Sequence, residues 1–323
     1  MKPLLITGAT GFVGRTLLLR AVAAGTPVLA PVRDAAKLRA QLDAENVPRD
    51  LVTPLPADPR SWGGISPDRA VLCAGVLFAR SREEYFRTNV DWNMDVLRAL
   101  PPSCRTVVLS SQSAGGPTSS GCAARSESDP DAPITWYGES KRELELALGR
   151  EFSSRPLTLL RPPMILGARD SATLPLFKMA RGIVRMKPGL RPKLYSFLGV
   201  GDVVDAILAA FLLDMRGPFY IAGDKPISDL ELIGSAARAA GGQGITLPVP
   251  QAFVRLLSLV VDAVPSMRRA TPSLTRDRAR EIWPDRWVVD ASAFRSAAGW
   301  RASTTLDQAL DEAFAWFRQQ RMV

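Results

Sequence analysis

Tyr137 and Lys141 stand four apart in the stretch ITWYGESKREL. On a helix that spacing puts both side chains on one face, so a phenol and an ammonium can enter the same cleft. A free phenol ionises near pH 10 and a free lysine near 10.4, so neither is a useful base at neutral pH alone. A neighbouring ammonium favours the phenolate, and lowering the phenol by about three units needs roughly 4 kcal/mol, which a partly desolvated site can supply. Ser110, Ser111 and Ser113 add a hydroxyl cluster able to steady a developing oxyanion. The chain has no histidine, which excludes a Ser-His-Asp hydrolase and removes the usual zinc ligands; no metal site is expected. Proton transfer then falls to Tyr, Lys, Asp, Glu, Cys or a water relay. The plain alternative for Tyr137 and Lys141 is two amphipathic residues on a half-exposed helix.

The elements that must position these groups decide between the two. PLLITGATGFVGRTLLLRAVAAG reads as a buried strand from Pro3 to Thr7, a glycine turn, and a helix closed by Gly25. Gly8, Gly11 and Gly14, with Phe12 and Val13 between the last two, would let a pyrophosphate approach helix-N-terminal amides without an intervening Cβ. Their spacing differs from GxGxxG, so context carries much of the signal. A second strand, TPVLAPVR, ends in Arg33 with Asp34 after it. An arginine there suits the 2′-phosphate of NADP, whereas an acid grips the ribose of NAD. NADP is therefore favoured, and Asp34 keeps NAD in play. LVTPLPAD, AVLCAGV, RTVVLSS and LTLLRPP read as further strands, with helices around Tyr85 to Leu100 and Trp136 to Phe152. The expected fold class is α/β, a doubly wound parallel sheet of Rossmann type with a smaller C-terminal substrate domain. Ser110, Ser111 and Ser113 then lie just past a strand's carboxyl end, where such sheets bind ligands.

TGATGFVG, VLSSQSAGGP, YGESK and RPPMILG, in this order and at these distances, resemble the extended short-chain dehydrogenase/reductase family. GWRASTTLDQALDEAFAWFR looks like that family's terminal segment, so the resemblance covers essentially the whole chain. It implies a Ser, Tyr and Lys acting on a carbonyl or carbinol beside the nicotinamide of NADP or NAD. Tyr137 and Lys141 match the Tyr-x-x-x-Lys motif, with Lys141 also gripping the nicotinamide ribose. Ser111 is the chosen serine, since related sequences often carry alanine where Ser113 stands; Ser113 is the substitute. Asn89 in RTNVDWN matches an asparagine that helps hold the active-site helix and its water. Asp58 matches an acid that meets the adenine amino group, or is a turn former before Pro59. Pro162 matches a residue near the nicotinamide amide. The resemblance implies a division into residues 1–163 and 197–223, which bind the dinucleotide, and 164–196 and 224–323, which close over the substrate. It also suggests a homodimer.

Relatives that use nucleotide-sugars usually carry NVYG where this chain has MILG, and Met164 cannot donate the hydrogen bonds of their asparagine. Pro162 and Pro163 look more like the hydroxysteroid-dehydrogenase and dihydroflavonol-reductase branches. The reading is an NADP-dependent reductase or dehydrogenase of an apolar hydroxy or keto compound. A nucleotide-sugar epimerase or dehydratase with tightly held NAD, and a non-catalytic NADP-binding module, are the alternatives. The charge of +9 comes from dispersed Lys and Arg, which argues for anionic small ligands rather than nucleic acid. Three cysteines without a CxxC pair, no signal peptide, and no apolar run of roughly 18 residues point to the cytoplasm. Cys73 reads as core. Gln251 to Met267, apolar on nearly every side if helical, reads as core first, and otherwise as an apolar substrate wall or a membrane-touching surface.

Overall fold

The computed structural model describes residues 2–212, 216–264, 266–267 and 275–323. Short apolar runs with turn residues between them form strands, and the longer amphipathic runs between form helices. In chain order the first half gives β1 (Leu4–Thr7), α1 (Phe12–Ala23), β2 (Val28–Pro31), α2 (Ala35–Ala44), β3 (Val52–Leu55) and β4 (Arg69–Leu72). Then follow α3 (Arg82–Phe86), α4 (Trp92–Ala99), β5 (Arg105–Leu109), α5 (Gln112–Gly115), α6 (Trp136–Glu151) and β6 (Leu157–Arg161). A π-helical turn, Arg87–Asp91, joins α3 to α4, so the helix expected around Tyr85 starts earlier and is wound more widely at its centre.

The second half contributes β7 (Met164–Leu166), α7 (Leu174–Ala180), β8 (Val184–Pro188), β9 (Leu194–Tyr195), β10 (Phe197–Gly199), α8 (Val200–Ala210) and β11 (Gly217–Tyr220). After these come β12 (Ile227–Ser228), α9 (Asp229–Ala240), β13 (Ile245–Val249), α10 (Gln251–Ala263), β14 (Arg286–Trp287) and helices Ser292–Ala298 and Leu306–Gln319. Seven strands form one parallel sheet in the order β11-β6-β5-β4-β1-β2-β3. The order reverses between β1 and β4, so a crevice opens beyond their carboxyl ends.

Two apolar layers cover the sheet. One packs α1 and α8 on it, with Leu17, Val203 and Ile207 fully buried. The other packs α4 and α6, through Val96, Leu97, Leu144 and Leu148. Phe294 and Trp300 join the first layer, so part of the C-terminal chain returns to the main sheet. A separate core gathers Leu166, Phe177, Phe197, Ile227 and Phe317 beneath α7, α9 and the last helix. The smaller sheets β10-β7, β12-β9-β14 and β13-β8 surround it.

The core reading of Gln251 to Met267 does not hold. The helix ends at Ala263, Val264 is extended, and only Ser258 and Val261 of α10 are buried. Phe253, Leu256, Leu259 and Val260 stand in solvent. Hydrophobicity alone does not tell a core helix from one that awaits a partner.

Candidate active site

The crevice begins at the glycine turn. Gly8 sits at φ +69°, in the left-handed region that glycine tolerates, and its carbonyl accepts from Gly11 N at 2.8 Å. A side chain at Gly14 would collide with the Gly8 carbonyl. Gly11 caps α1 with no side-chain oxygen, and the first turn carries no acid. Phe12 and Val13 open the helix, so its first N–H groups remain without a capping side chain and favour an anion. At the next strand, Arg33 is exposed, and among the described residues it has neither an ion pair nor a hydrogen bond. Asp34 caps α2 instead, accepting from Lys37 N at 2.9 Å. Asp58 caps the turn Pro59–Ser61, and its carboxylate is clasped by Arg60 at 2.9 Å.

Beyond β4 the chain turns close to the glycine loop. Thr7 Oγ1 accepts from Ala74 N at 3.0 Å, and a Cβ on Gly8 would lie 3.0 Å from that nitrogen. The next residue, Gly75, leaves room for two polar side chains: a Cβ there would lie 3.1 Å from Asn89 Oδ1 and 3.3 Å from Lys141 Nζ. Asn89 is fully buried in the π turn. Its Oδ1 accepts from Val76 N at 2.7 Å, and its Nδ2 donates to Ser140 Oγ at 2.9 Å and to the Val76 carbonyl at 3.2 Å. One amide thus fastens the loop after β4 to α6.

The serines follow β5. Ser111 caps α5, its Oγ accepting from Ser113 N at 3.1 Å, and its hydroxyl lies near enough to the Tyr137 phenol to pull that phenol's pKa down. Ser110 does something different: its hydroxyl donates to Glu145 at 2.5 Å. Gln112 N donates to the Pro162 carbonyl at 2.9 Å, which brings the end of β6 to the same mouth. Gly138 permits the approach of α6, because a Cβ there would strike the Ser113 carbonyl.

Tyr137 and Lys141 lie in the first half of α6, whose cap Thr135 accepts from Gly138 N at 3.2 Å. Lys141 Nζ is buried and donates to the Leu109 carbonyl at 2.9 Å; burial pushes its ammonium down to about 8. Burial likewise pushes the Tyr137 phenol up to about 12, opposed by the nearby Ser111 hydroxyl and by the positive charge of Arg278. In the protein by itself desolvation of the phenolate outweighs the nearby charge; the lowering expected from sequence also draws on the positive ring of an oxidised nicotinamide. Cys73 is half-buried beside the first core layer; burial pushes its thiol up to about 12, which leaves it inert at neutral pH.

The C-terminal chain supplies contacts that sequence reasoning missed. The Arg278 guanidinium lies 5.3 Å from the Tyr137 ring centre and 5.5 Å from that of Phe78, and pairs with Glu281 at 2.9 Å. Asp277 accepts from Trp136 N at 3.1 Å and Glu281 from Thr135 Oγ1 at 2.8 Å, so both acids grip the start of α6. These residues follow Tyr137 by about 140 positions in a stretch without a motif, and nothing local to them marks the contact.

Ser111, Tyr137 and Lys141 thus converge, and Gly75 links them to the glycine turn through its neighbour Ala74. Arg33 and Asp58 lie at the ends of other strands, apart from this cluster.

The family model described as NAD dependent epimerase/dehydratase family matches residues 4–218. The chain is 26% identical to a ceramide reductase of Caulobacter vibrioides, over 97% of this chain and 93% of that one. It is 25% identical to a 2-alkyl-3-oxoalkanoate reductase of Shewanella oneidensis, over 94% and 84% of the two chains. Its fold resembles that of MoeE5, solved in complex with UDP-glucuronic acid and NAD, with a TM-score of 0.73, 21% identity, and coverage of 98% and 99%.

Proposed function

Because the chain belongs to the NAD dependent epimerase/dehydratase family, we propose that it is an NADP-dependent reductase or dehydrogenase acting on the keto or hydroxy group of an apolar small molecule. The observation that carries this reading is the buried Lys141, held on the Leu109 carbonyl two residues before Ser111 and one helical turn after Tyr137, beside the Gly75 loop that adjoins the glycine turn.

The residues present fit a dinucleotide. Gly8, Gly11 and Gly14 form a cradle that side chains would fill, and the uncapped start of α1 suits a pyrophosphate. Gly8, Gly11, Phe12, Val13 and Gly14 would hold that group, Arg33 the 2′-phosphate of NADP, and Lys141 and Pro162 the nicotinamide end. Asp58, already clasped by Arg60, is the least available of the expected contacts. The bound dinucleotide supplies or accepts a hydride.

The chain's own residues manage the proton. Tyr137 is neutral at pH 7, since burial pushes it up to about 12, and can donate to a carbonyl oxygen during reduction. Ser111 steadies that oxygen as charge develops. The phenolate left behind is favoured by the Arg278 charge and by the Ser111 hydroxyl. Lys141 orients the cofactor from its anchor on Leu109, and Asn89 holds the helix that carries both. Alcohol oxidation runs the same path backwards. Residues 1–163 with 197–223 would bind the cofactor, and 164–196 with 224–323 would close over the substrate.

Met164, which lacks the donors of a nucleotide-sugar asparagine, and the two reductase relatives favour an apolar substrate. The second reading is a nucleotide-sugar epimerase or dehydratase, favoured by the fold likeness to MoeE5 with its UDP-sugar. An epimerase keeps its cofactor through turnover; a reductase exchanges it. Purification without added nucleotide, followed by denaturation and assay of released dinucleotide, separates them. The reductase reading expects a largely cofactor-free protein, and stoichiometric NAD would favour the second reading instead.

A further inference from the structure

The C-terminal lobe turns apolar residues outward in two adjoining elements. In the parallel pair β8 and β13, Arg185 and Lys187 point to the buried side, while Val184, Met186, Ile245 and Leu247 face solvent. The inward cations are engaged: Lys187 pairs with Asp229 at 2.7 Å, and Arg185 donates to the Gly242 carbonyl at 3.2 Å. In α10 the buried side holds Ser258 and Val261, while Phe253, Leu256, Leu259 and Val260 stand outside. Both elements invert the usual order for a water-facing surface. Only Pro250 separates them, and a hollow lined by Leu190, Arg191, Val249, Gln251 and Trp283 lies at the junction. Ile183 and Leu190, at the two ends of β8, are 86% and 84% exposed. Isolated exposed apolar residues are ordinary, but a run of them across a sheet and the next helix marks a contact surface.

Charge says what kind. From Ser171 to Gly201 the chain has six Lys and Arg residues and no carboxylate, and from Leu232 to Val261 it has Arg238 and Arg255 and again no carboxylate. Lys178, Arg181 and Arg255 are exposed in these segments, and so is Arg191, which reaches Asp285 at the hollow, 3.7 Å away. Self-association through this face would bring a basic rim against its own copy, which repels. An anionic bilayer instead pairs the rim with its headgroups and takes the apolar residues into the acyl boundary. No helix among the described residues is long and apolar enough to span a membrane, so any contact of α10 is interfacial.

We propose that β8, β13 and α10 form a docking face for anionic lipid bilayers, with Phe253, Leu256 and Leu190 as inserting residues and Arg181 and Arg255 as headgroup contacts. The test is co-sedimentation of the full chain with vesicles of phosphatidylcholine alone and of phosphatidylcholine mixed with phosphatidylglycerol. The expected result is at least roughly tenfold stronger partition onto the anionic vesicles, weakened by salt. A Phe253→Asn/Leu256→Asn variant should lose about tenfold of that partition while keeping the same thermal shift with NADPH. Leu190→Asn, in a turn, repeats the test should the helix variant fold poorly. Equal partition onto neutral and anionic vesicles, or unchanged partition of the folded variants, would overturn the proposal. So would absence of vesicle binding together with a dimer, seen by light scattering, that these substitutions split.

Discussion

Removing one oxygen from Tyr137 tests the proton-transfer role most locally. Tyr137→Phe keeps the ring between Tyr85 and Arg278, so the fold and dinucleotide binding should persist while kcat falls about 10²–10⁴-fold. Arg278→Met should act on one direction more than the other. Arg278 lowers the phenol, so its loss raises Tyr137 further; alcohol oxidation, which needs the phenolate, should slow more than ketone reduction at the same pH. Equal losses in both directions would mean Arg278 acts only by packing. Lys141 gives a pH prediction. Its ammonium, depressed to about 8, is present below that pH and lost above it, so affinity of the protein for NADPH should weaken as pH rises through about 8. In the cofactor-free protein the same depression means the folded state binds fewer protons than the unfolded state between about 8 and 10.5, so this group raises stability with pH across that window. The shared face of Tyr137 and Lys141 was legible from their spacing on a helix, whereas Ser111 was reached only through the family resemblance. The direction of the Tyr137 shift was not legible, because it depends on burial by residues distant in sequence.

Gly138 decides how closely α6 meets the serine turn. Gly138→Ala would press a methyl group into the Ser113 carbonyl, costing about 1–3 kcal/mol of stability, and should lower kcat by parting Ser111 from Tyr137. Thermal unfolding and steady-state kinetics on the same preparation check both effects; an unchanged kcat would mean the helix can shift without loss. The strands of the sheet were readable from short apolar runs and their turns, and α6 from its spacing. The π turn that carries Asn89 was not, since a wider winding leaves no compositional mark. Nor did the sequence decide between a buried and an outward α10, because apolar residues on nearly every side suit both.

At the scale of the whole molecule, a buried ionic cluster ties strand, helix and loop together. Arg161 of β6 donates to Glu145 of α6 at 2.5 and 2.9 Å and to Asp131 at 2.8 Å, with the Ser110 hydroxyl on the same glutamate. Glu145→Ala would leave a buried guanidinium short of its partner and should cost about 3–5 kcal/mol, read as a lower denaturant midpoint; a loss under 1 kcal/mol would mean water replaces the carboxylate freely. The doubly wound order of the sheet followed from the strand–helix alternation, but this cluster joins residues 110, 131, 145 and 161, which no single motif contains. Cofactor choice is also a property of the whole chain. NADPH should raise the melting temperature more than NADH at equal concentration, in proportion to the logarithm of its tighter binding, and Arg33→Ala should erase the difference.

The most direct measurement is the near-ultraviolet absorbance of reduced nicotinamide after mixing the protein, NADPH and an apolar ketone, beside the Tyr137→Phe variant. A steady fall in absorbance with the native chain, lost in the variant although NADPH still stabilises it, is the predicted result. An equal rate in the variant would contradict the account, because the phenol of Tyr137 would then not be the acid.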